Sequence, residues 1–223
     1  VPRARRRTHH PRQFADLQPF IAGKVFPELA RRLAPRPTIS PQMVDAFHRL
    51  VLKGDSVAIL EAAGDLLSEG LPLETIFSEL FTPAARKLGR LWEDDDCSMT
   101  HVTLAASAMQ RAVRQLAWEV PQPPSSDFTP SSALMIPVPG EWHTLGCAIA
   151  SEILRHAGWR VNAAPADTVS SVFARVAGEH FDLIGISVGR TAVLPTLAAL
   201  VARLREYSHN RDVKIVLGGA ALI

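Results

Sequence analysis

The sequence predicts an α + α/β protein, an N-terminal four-helix bundle followed by a parallel sheet with helical crossovers. Three observations carry this. Residues 40–120 hold four amphipathic stretches of helical period joined by short connections, the pattern of an antiparallel bundle. Residues 121–130, P-Q-P-P-S-S-D-F-T-P, then break that pattern with the composition of a linker. Beyond it, short apolar runs alternate with helical ones, which requires parallel strands and right-handed crossovers. A chain of 223 residues with 47% apolar content can fill two small cores. The expected boundaries are a basic arm and N-terminal helix over 1–37, the bundle over 38–120, the linker over 121–131 and the sheet domain over 132–223.

In chain order, residues 1–11 form the arm, and His9 and His10 stand at its end. Residues 12–33 carry an apolar stripe of Phe14, Leu17, Ile21, Val25 and Leu29, interrupted by Pro19 and Pro27, so a broken helix is expected. Ser40-Pro41 supplies an N-cap and a first-turn proline for a helix over 42–53. Asp55 or Ser56 caps the next, which ends by Gly70. Pro72 opens the third, with Ile76, Leu80, Leu88 and Leu91 on its stripe and a kink at Pro83. Ser98 opens the fourth, whose stripe is Val102, Ala106, Met109, Val113 and Leu116. In the second half, strands are expected at 133–137, 160–164, 183–188 and 214–217, with helices over 144–156, 170–179 and 191–207.

Charge and cysteine content limit the function classes. Arg3, Arg5, Arg6, Arg7 and Arg12 carry the basic excess; without these five the balance of 24 basic against 22 acidic residues becomes 19 against 22. A mildly acidic body argues against a DNA-gripping surface and for regulation, if any, through another protein. Cys97 and Cys147 fall in different predicted units, so no disulfide framework is expected and a reducing cytoplasm fits. No stretch of about 20 residues is apolar enough for a membrane span. The first strand is followed by no G-x-G-x-x-G and the chain has no P-loop, which removes the common nucleotide-binding enzymes. Neither a nucleophile elbow nor a second carboxylate beside His143 is present, so the chain does not read as an enzyme.

The segment richest in chemistry is 137–146, P-V-P-G-E-W-H-T-L-G. A loop leaving the carboxyl end of a strand is where open α/β sheets hold ligands. This one offers His143 with Glu141 two residues before it. A metal-bound imidazole commonly donates its other ring N–H to a carboxylate; a plain surface Glu–His pair would show the same spacing. Gly146 lets backbone approach something large. Two further strand ends carry small residues, Ser187 and Gly189 after one run and Gly218-Gly219 after another.

Together these residues resemble the cobalamin-binding domain family, whose signature is Asp/Glu-x-His-x-x-Gly, then Ser-x-Leu, then Gly-Gly. Here it reads Glu141-x-His143-x-x-Gly146, Ser187-Val188-Gly189 and Gly218-Gly219, with Gly189 where Leu is usual. The resemblance covers roughly residues 40–223. It implies a flavodoxin- or Rossmann-like sheet domain beneath a helical cap. It implies base-off cobalamin with His143 as lower cobalt ligand, Glu141 orienting the ring, and Ser187, Gly189, Gly218 and Gly219 lining a slot for the nucleotide tail. Family members continue with one more helix and strand, so the sheet is expected to end one strand short or the chain to be trimmed.

The bundle resembles the cap that covers the upper face of the cofactor, where a Trp lies against the upper ligand; Trp92 stands in that place. Adenosylcobalamin photoreceptors carry a Glu-His pair ten and eleven residues after the Trp. Here those positions are Val102 and Thr103. His101 is two residues from Thr103, roughly 200° round a helix, and cannot substitute. Val102 is then a neighbour of the cofactor without being a ligand, and the upper face is left to water, hydroxide, a small ligand, or His9 or His10 of the arm. The segment L-W-E-D-D-D-C-S with this altered helix is most similar to the AerR/PpaA-type antirepressors of photosynthesis genes in purple bacteria. That similarity implies a hydroxocobalamin-like corrinoid, a light or redox signal, and a DNA-bound repressor protein as partner, with no direct sequence-specific DNA binding. Two other readings stay open: a haem-binding sensor with iron on His143, and a corrinoid methyl-carrier protein.

Overall fold

The computed structural model describes residues 38–121, 130–163 and 168–222. The arm with His9 and His10, the helix expected over 12–33 and most of the linker lie outside these residues.

Ser40 caps helix α1 (Pro41–Lys53) by accepting the Met43 N–H, and Gly54 closes it at φ +68°. Asp55 caps α2 (Ser56–Ser68), taking the N–H groups of Val57 and Ala58. The third expected helix is composite: a short α3 (Leu73–Thr75), a π-helical segment Ile76–Phe81, and α4 (Thr82–Glu93). The expected kink at Pro83 takes this form for a physical reason. Proline has no N–H to give the ladder, and a wider turn absorbs the missing bond. The Thr82 N–H donates to Phe77 O, and the Thr82 hydroxyl donates to the same carbonyl at 2.9 Å. The long helix α5 (Met99–Glu119) is capped by Ser98. Its buried side chains are Ala105, Ala108, Met109, Ala112, Val113, Leu116 and Ala117.

The bundle core is aromatic at its centre. Phe81 lies edge-on to Phe47 with centroids 4.9 Å apart and to Phe77 at 5.6 Å. Edge-to-face pairs of this kind add to the burial of the rings themselves.

The second half winds β1 (Ser132–Pro137), α6 (Leu145–His156), β2 (Arg160–Ala163), α7 (Val169–Gly178), β3 (Leu183–Ser187), α8 (Leu194–Tyr207) and β4 (Lys214–Gly218). All pairings are parallel in the order β2-β1-β3-β4. Every residue of β1 is buried, whereas β4, on the rim of the sheet, is mostly exposed. A parallel strand flanked on both edges and covered on both faces has no reason to alternate polar with apolar. Leu134, Ile136, Ile184 and Ile186 meet Val172, Phe173 and Val176 of α7 and Leu197 and Leu204 of α8 on one face. The bundle is not a separate lobe: Ile149 of α6 belongs to its core, with Leu145 and Ile153 packed against it. Helix α6 therefore lies between the bundle and the sheet, in contact with both.

Candidate functional site

The loop after β1 is folded by its own backbone. The Val138 N–H donates to Ser187 O at 2.9 Å, and the Glu141 N–H turns back to Val138 O at 2.8 Å. Gly140 makes that turn at φ +81°, a conformation that favours glycine. The consequence is that Glu141 points inward and is 0% exposed. Its Oε1 accepts the backbone N–H groups of Trp142 at 3.1 Å and His143 at 3.4 Å, and meets His143 Nδ1 at 2.5 Å. Its Oε2 lies 3.5 Å from Arg190 Nε but receives no hydrogen bond.

Burial pushes the Glu141 carboxyl up, but the His143 ring and backbone N–H groups and the Arg190 charge outweigh it and hold the group below its ordinary 4.5. An ionised carboxylate can only accept, so His143 Nδ1 is the donor in this contact and Nε2 is the ring nitrogen turned away from Glu141. The His143 side chain is 51% exposed. The arrangement is thus a half-open imidazole anchored on a buried carboxylate, which a surface Glu–His pair would not be.

Five more expected residues converge here, and each is defined by the atom it lacks or offers. A Cβ on Gly189 would lie 2.8 Å from His143 Cβ and 2.9 Å from Nδ1, so the ring occupies the space that a side chain at 189 would need. This gives the departure from Leu at that position a physical meaning. Gly146 lies beside Ser187, whose Oγ would be 3.4 Å from an added Cβ. Ser187 pairs in register with Pro137 and Gly218. A Cβ on Gly218 would meet nothing within 4 Å, while Gly219, at φ +116°, presses on the Val188 backbone. Glu141, His143, Gly146, Ser187, Gly189, Gly218 and Gly219 therefore gather at the carboxyl ends of β1, β3 and β4.

Trp92 and Val102 belong to the bundle. Gln110 Nε2 donates to Thr144 Oγ1 at 2.6 Å, and His156 Nε2 meets Ala117 O at 3.0 Å. These two contacts set α5 running in the same direction as α6, with Gln110 level with the end of the site loop. The preceding stretch from Ser98, about 18 Å of helix, runs on past Thr144. It bears exposed Met99 and Leu104, and Trp92 at the end of α4 is 40% exposed. Val102 is half-buried against the bundle core. His101 is tied to its own helix start, with Nδ1 2.8 Å from Ser98 Oγ.

Among the described residues no group of three or more His, Cys, Asp or Glu side chains could hold a bare metal ion. A single presented imidazole beside glycine-lined backbone suits a metal whose other ligands come from a macrocycle. The thiols do not join in: Cys147 is buried and raised to about 11 by that burial. Among the described residues no helix is long and apolar enough to cross a membrane.

Sequence reasoning missed two residues here. Trp142, between the Glu and the His, is 86% exposed. Arg190, directly after Gly189, reaches back to Glu141. Its place at a strand end equivalent to that of the His loop was the available signal.

Two family profiles match, both described as a B12 binding domain, over residues 43–117 and 131–222. An uncharacterized 20.5 kDa protein of the bchF-crtJ intergenic region of Rhodobacter capsulatus is 30% identical over 150 residues, 67% of this chain and 78% of the relative. Dimethylamine corrinoid protein 1 of Methanosarcina acetivorans is 30% identical over 166 residues, 73% of this chain and 76% of the relative. The structure of the Methanosarcina barkeri monomethylamine corrinoid protein superposes with a TM-score of 0.65 at 19% identity, covering 81% of this chain and 85% of that one. That last likeness shows the shared fold.

Proposed function

From the premise that this chain belongs to the B12-binding domain family, we propose that it is a cobalamin-binding regulator that acts on a partner protein and catalyses no reaction of its own. The observation that carries the reading is His143, half open on the buried Glu141. Cobalamin, when bound, supplies a cobalt centre with exchangeable axial ligands. His143 Nε2 would take the lower axial position with the cofactor's own base displaced, and Glu141 holds the proton on the opposite nitrogen. Ser187, Gly189, Gly218 and Gly219, with Gly146, leave room for the nucleotide tail, and Gly218 in particular opens onto free space. Trp92 and Val102 would border the upper face from the bundle. The form bound is hydroxocobalamin-like, the upper ligand being water, hydroxide or His9 or His10. The partner is a DNA-bound repressor, and light or redox state is the signal; this part rests on the resemblance of residues 91–98 to the antirepressor type.

A second reading, a corrinoid methyl carrier, is favoured by the likeness to the dimethylamine corrinoid protein. Haem on the same imidazole is the third. The test is an absorption spectrum after incubation with hydroxocobalamin, and separately with haemin, followed by desalting. Retained corrinoid whose spectrum changes in His143→Ala is expected; an unchanged spectrum removes His143 from the cobalt. A retained Soret band alone selects haem. Capture of the repressor by apo- and corrinoid-loaded protein should differ. Equal capture, with methyl transfer from bound methylcobalamin to a methylamine-pathway acceptor system, selects the carrier.

A further inference from the structure

The buried carboxylate of Glu141 is served unevenly. Three N–H groups converge on Oε1, while Oε2, equally buried, has no hydrogen bond. An ionised carboxylate in such a place is costly unless a positive charge is near. Among the described residues, the cation recorded against Oε2 is Arg190, with Nε at 3.5 Å. The same guanidinium places Nη2 3.5 Å from Gly140 O, the carbonyl of the residue that turns the chain into Glu141. Arg190 comes from the loop after β3 and its two acceptors from the loop after β1. It directly follows Gly189, the residue against which the His143 ring lies.

We infer that Arg190 is a positioning residue for His143: it spans the two strand-end loops, fixes the free oxygen of Glu141, and so holds the imidazole with Nε2 outward. The guanidinium suits this because its planar fork reaches two acceptors at once, which an ammonium cannot do in the same way. Half of the Arg190 side chain is exposed, so its removal leaves no cavity in the core. A purely structural role would appear as lost stability; a positioning role appears at the ring. The role in cofactor binding rests on the function proposed above, whereas the effect on the imidazole does not.

The experiment uses the full chain as wild type, Arg190→Ala, Arg190→Lys and His143→Ala. In the apo proteins, ring nitrogen chemical shifts report the His143 tautomer. Wild type should show the proton on Nδ1, Arg190→Ala a mixture of tautomers, and Arg190→Lys an intermediate. Each protein is then titrated with hydroxocobalamin, and the bound form is reduced to cobalt(II) for electron paramagnetic resonance. Arg190→Ala should bind about tenfold more weakly, the lower end of what outer partners of a metal ligand contribute, with a diminished axial-nitrogen splitting. Arg190→Lys should recover part of both. An unchanged tautomer in Arg190→Ala overturns the inference whatever the cofactor does. Wild-type affinity and splitting in Arg190→Ala overturn it as well. If wild type fails to bind, or His143→Ala keeps the wild-type splitting, the cofactor reading fails instead, and the tautomer measurement still decides the role of Arg190.

Discussion

The bundle core and the carboxyl end of the sheet are built on opposite rules. In the bundle, Phe47, Phe77, Phe81, Ile59, Leu80 and Leu116 fill the interior with large side chains, all 2% exposed or less. At the sheet end, Gly189 and Gly219 remove side chains where the chain closes in, and Gly218 leaves open space. The difference teaches where each region gets its shape. The bundle is defined by volume that must be filled. The site is defined by volume that must stay empty, or be left to one imidazole. Helix α6 joins the two regimes, since Ile149 packs into the bundle while Cys147 and Ser151 are buried along the same helix.

Breaking the filled region should have the largest effect. Phe81→Ala removes the ring that touches both Phe47 and Phe77. It is expected to lower stability by about 3–5 kcal/mol, read as a shift in the urea midpoint; a loss below about 1 kcal/mol would show that the π-helical segment relaxes around the gap.

Filling the empty region should do the reverse. Gly189→Ala needs no unusual backbone angle, because no positive φ is recorded there. Its methyl would lie 2.8 Å from His143 Cβ and 2.9 Å from Nδ1, so the ring and its loop must both shift; corrinoid retention should fall by about tenfold, with a smaller loss of thermal stability than in Phe81→Ala. Retention at the wild-type level would mean that the ring moves freely from Glu141 without consequence.

The smallest effect sharpens the contrast through pH. Glu141 is held below its ordinary 4.5 in the fold. A depressed carboxylate contributes stability that is complete above its unfolded value and is lost as pH falls through the folded one. Asp45 and Asp182 are depressed too, so the Glu141 share is the difference between wild type and Glu141→Gln. Urea midpoints taken from about pH 7 down to about pH 3 should show a shallower acid loss for the variant; parallel curves would remove the charge of Glu141 from the stability of the loop.

Much of this was readable from residue order alone. The caps Ser40, Asp55 and Ser98, the alternation of apolar runs and helices, and the paired signatures Glu141-x-His143 and Gly218-Gly219 are local signals. Each acts over a few residues, through backbone hydrogen bonds and steric limits written in the residue types. Ser187 and Gly218 could be assigned to strand ends for the same reason. The sequence by itself determined the class of the fold, the order of its strands and helices, and the residues able to present one imidazole at a strand end. Only the tertiary structure decided that Glu141 is wholly buried, that the His143 ring takes the space above Gly189, that Arg190 crosses from one loop to another, and that Ile149 serves the bundle. These depend on distances between residues about 30 to 70 positions apart, set by parallel register and helix packing. No local pattern carries such distances, because burial and charge compensation are properties of the neighbours that folding brings in.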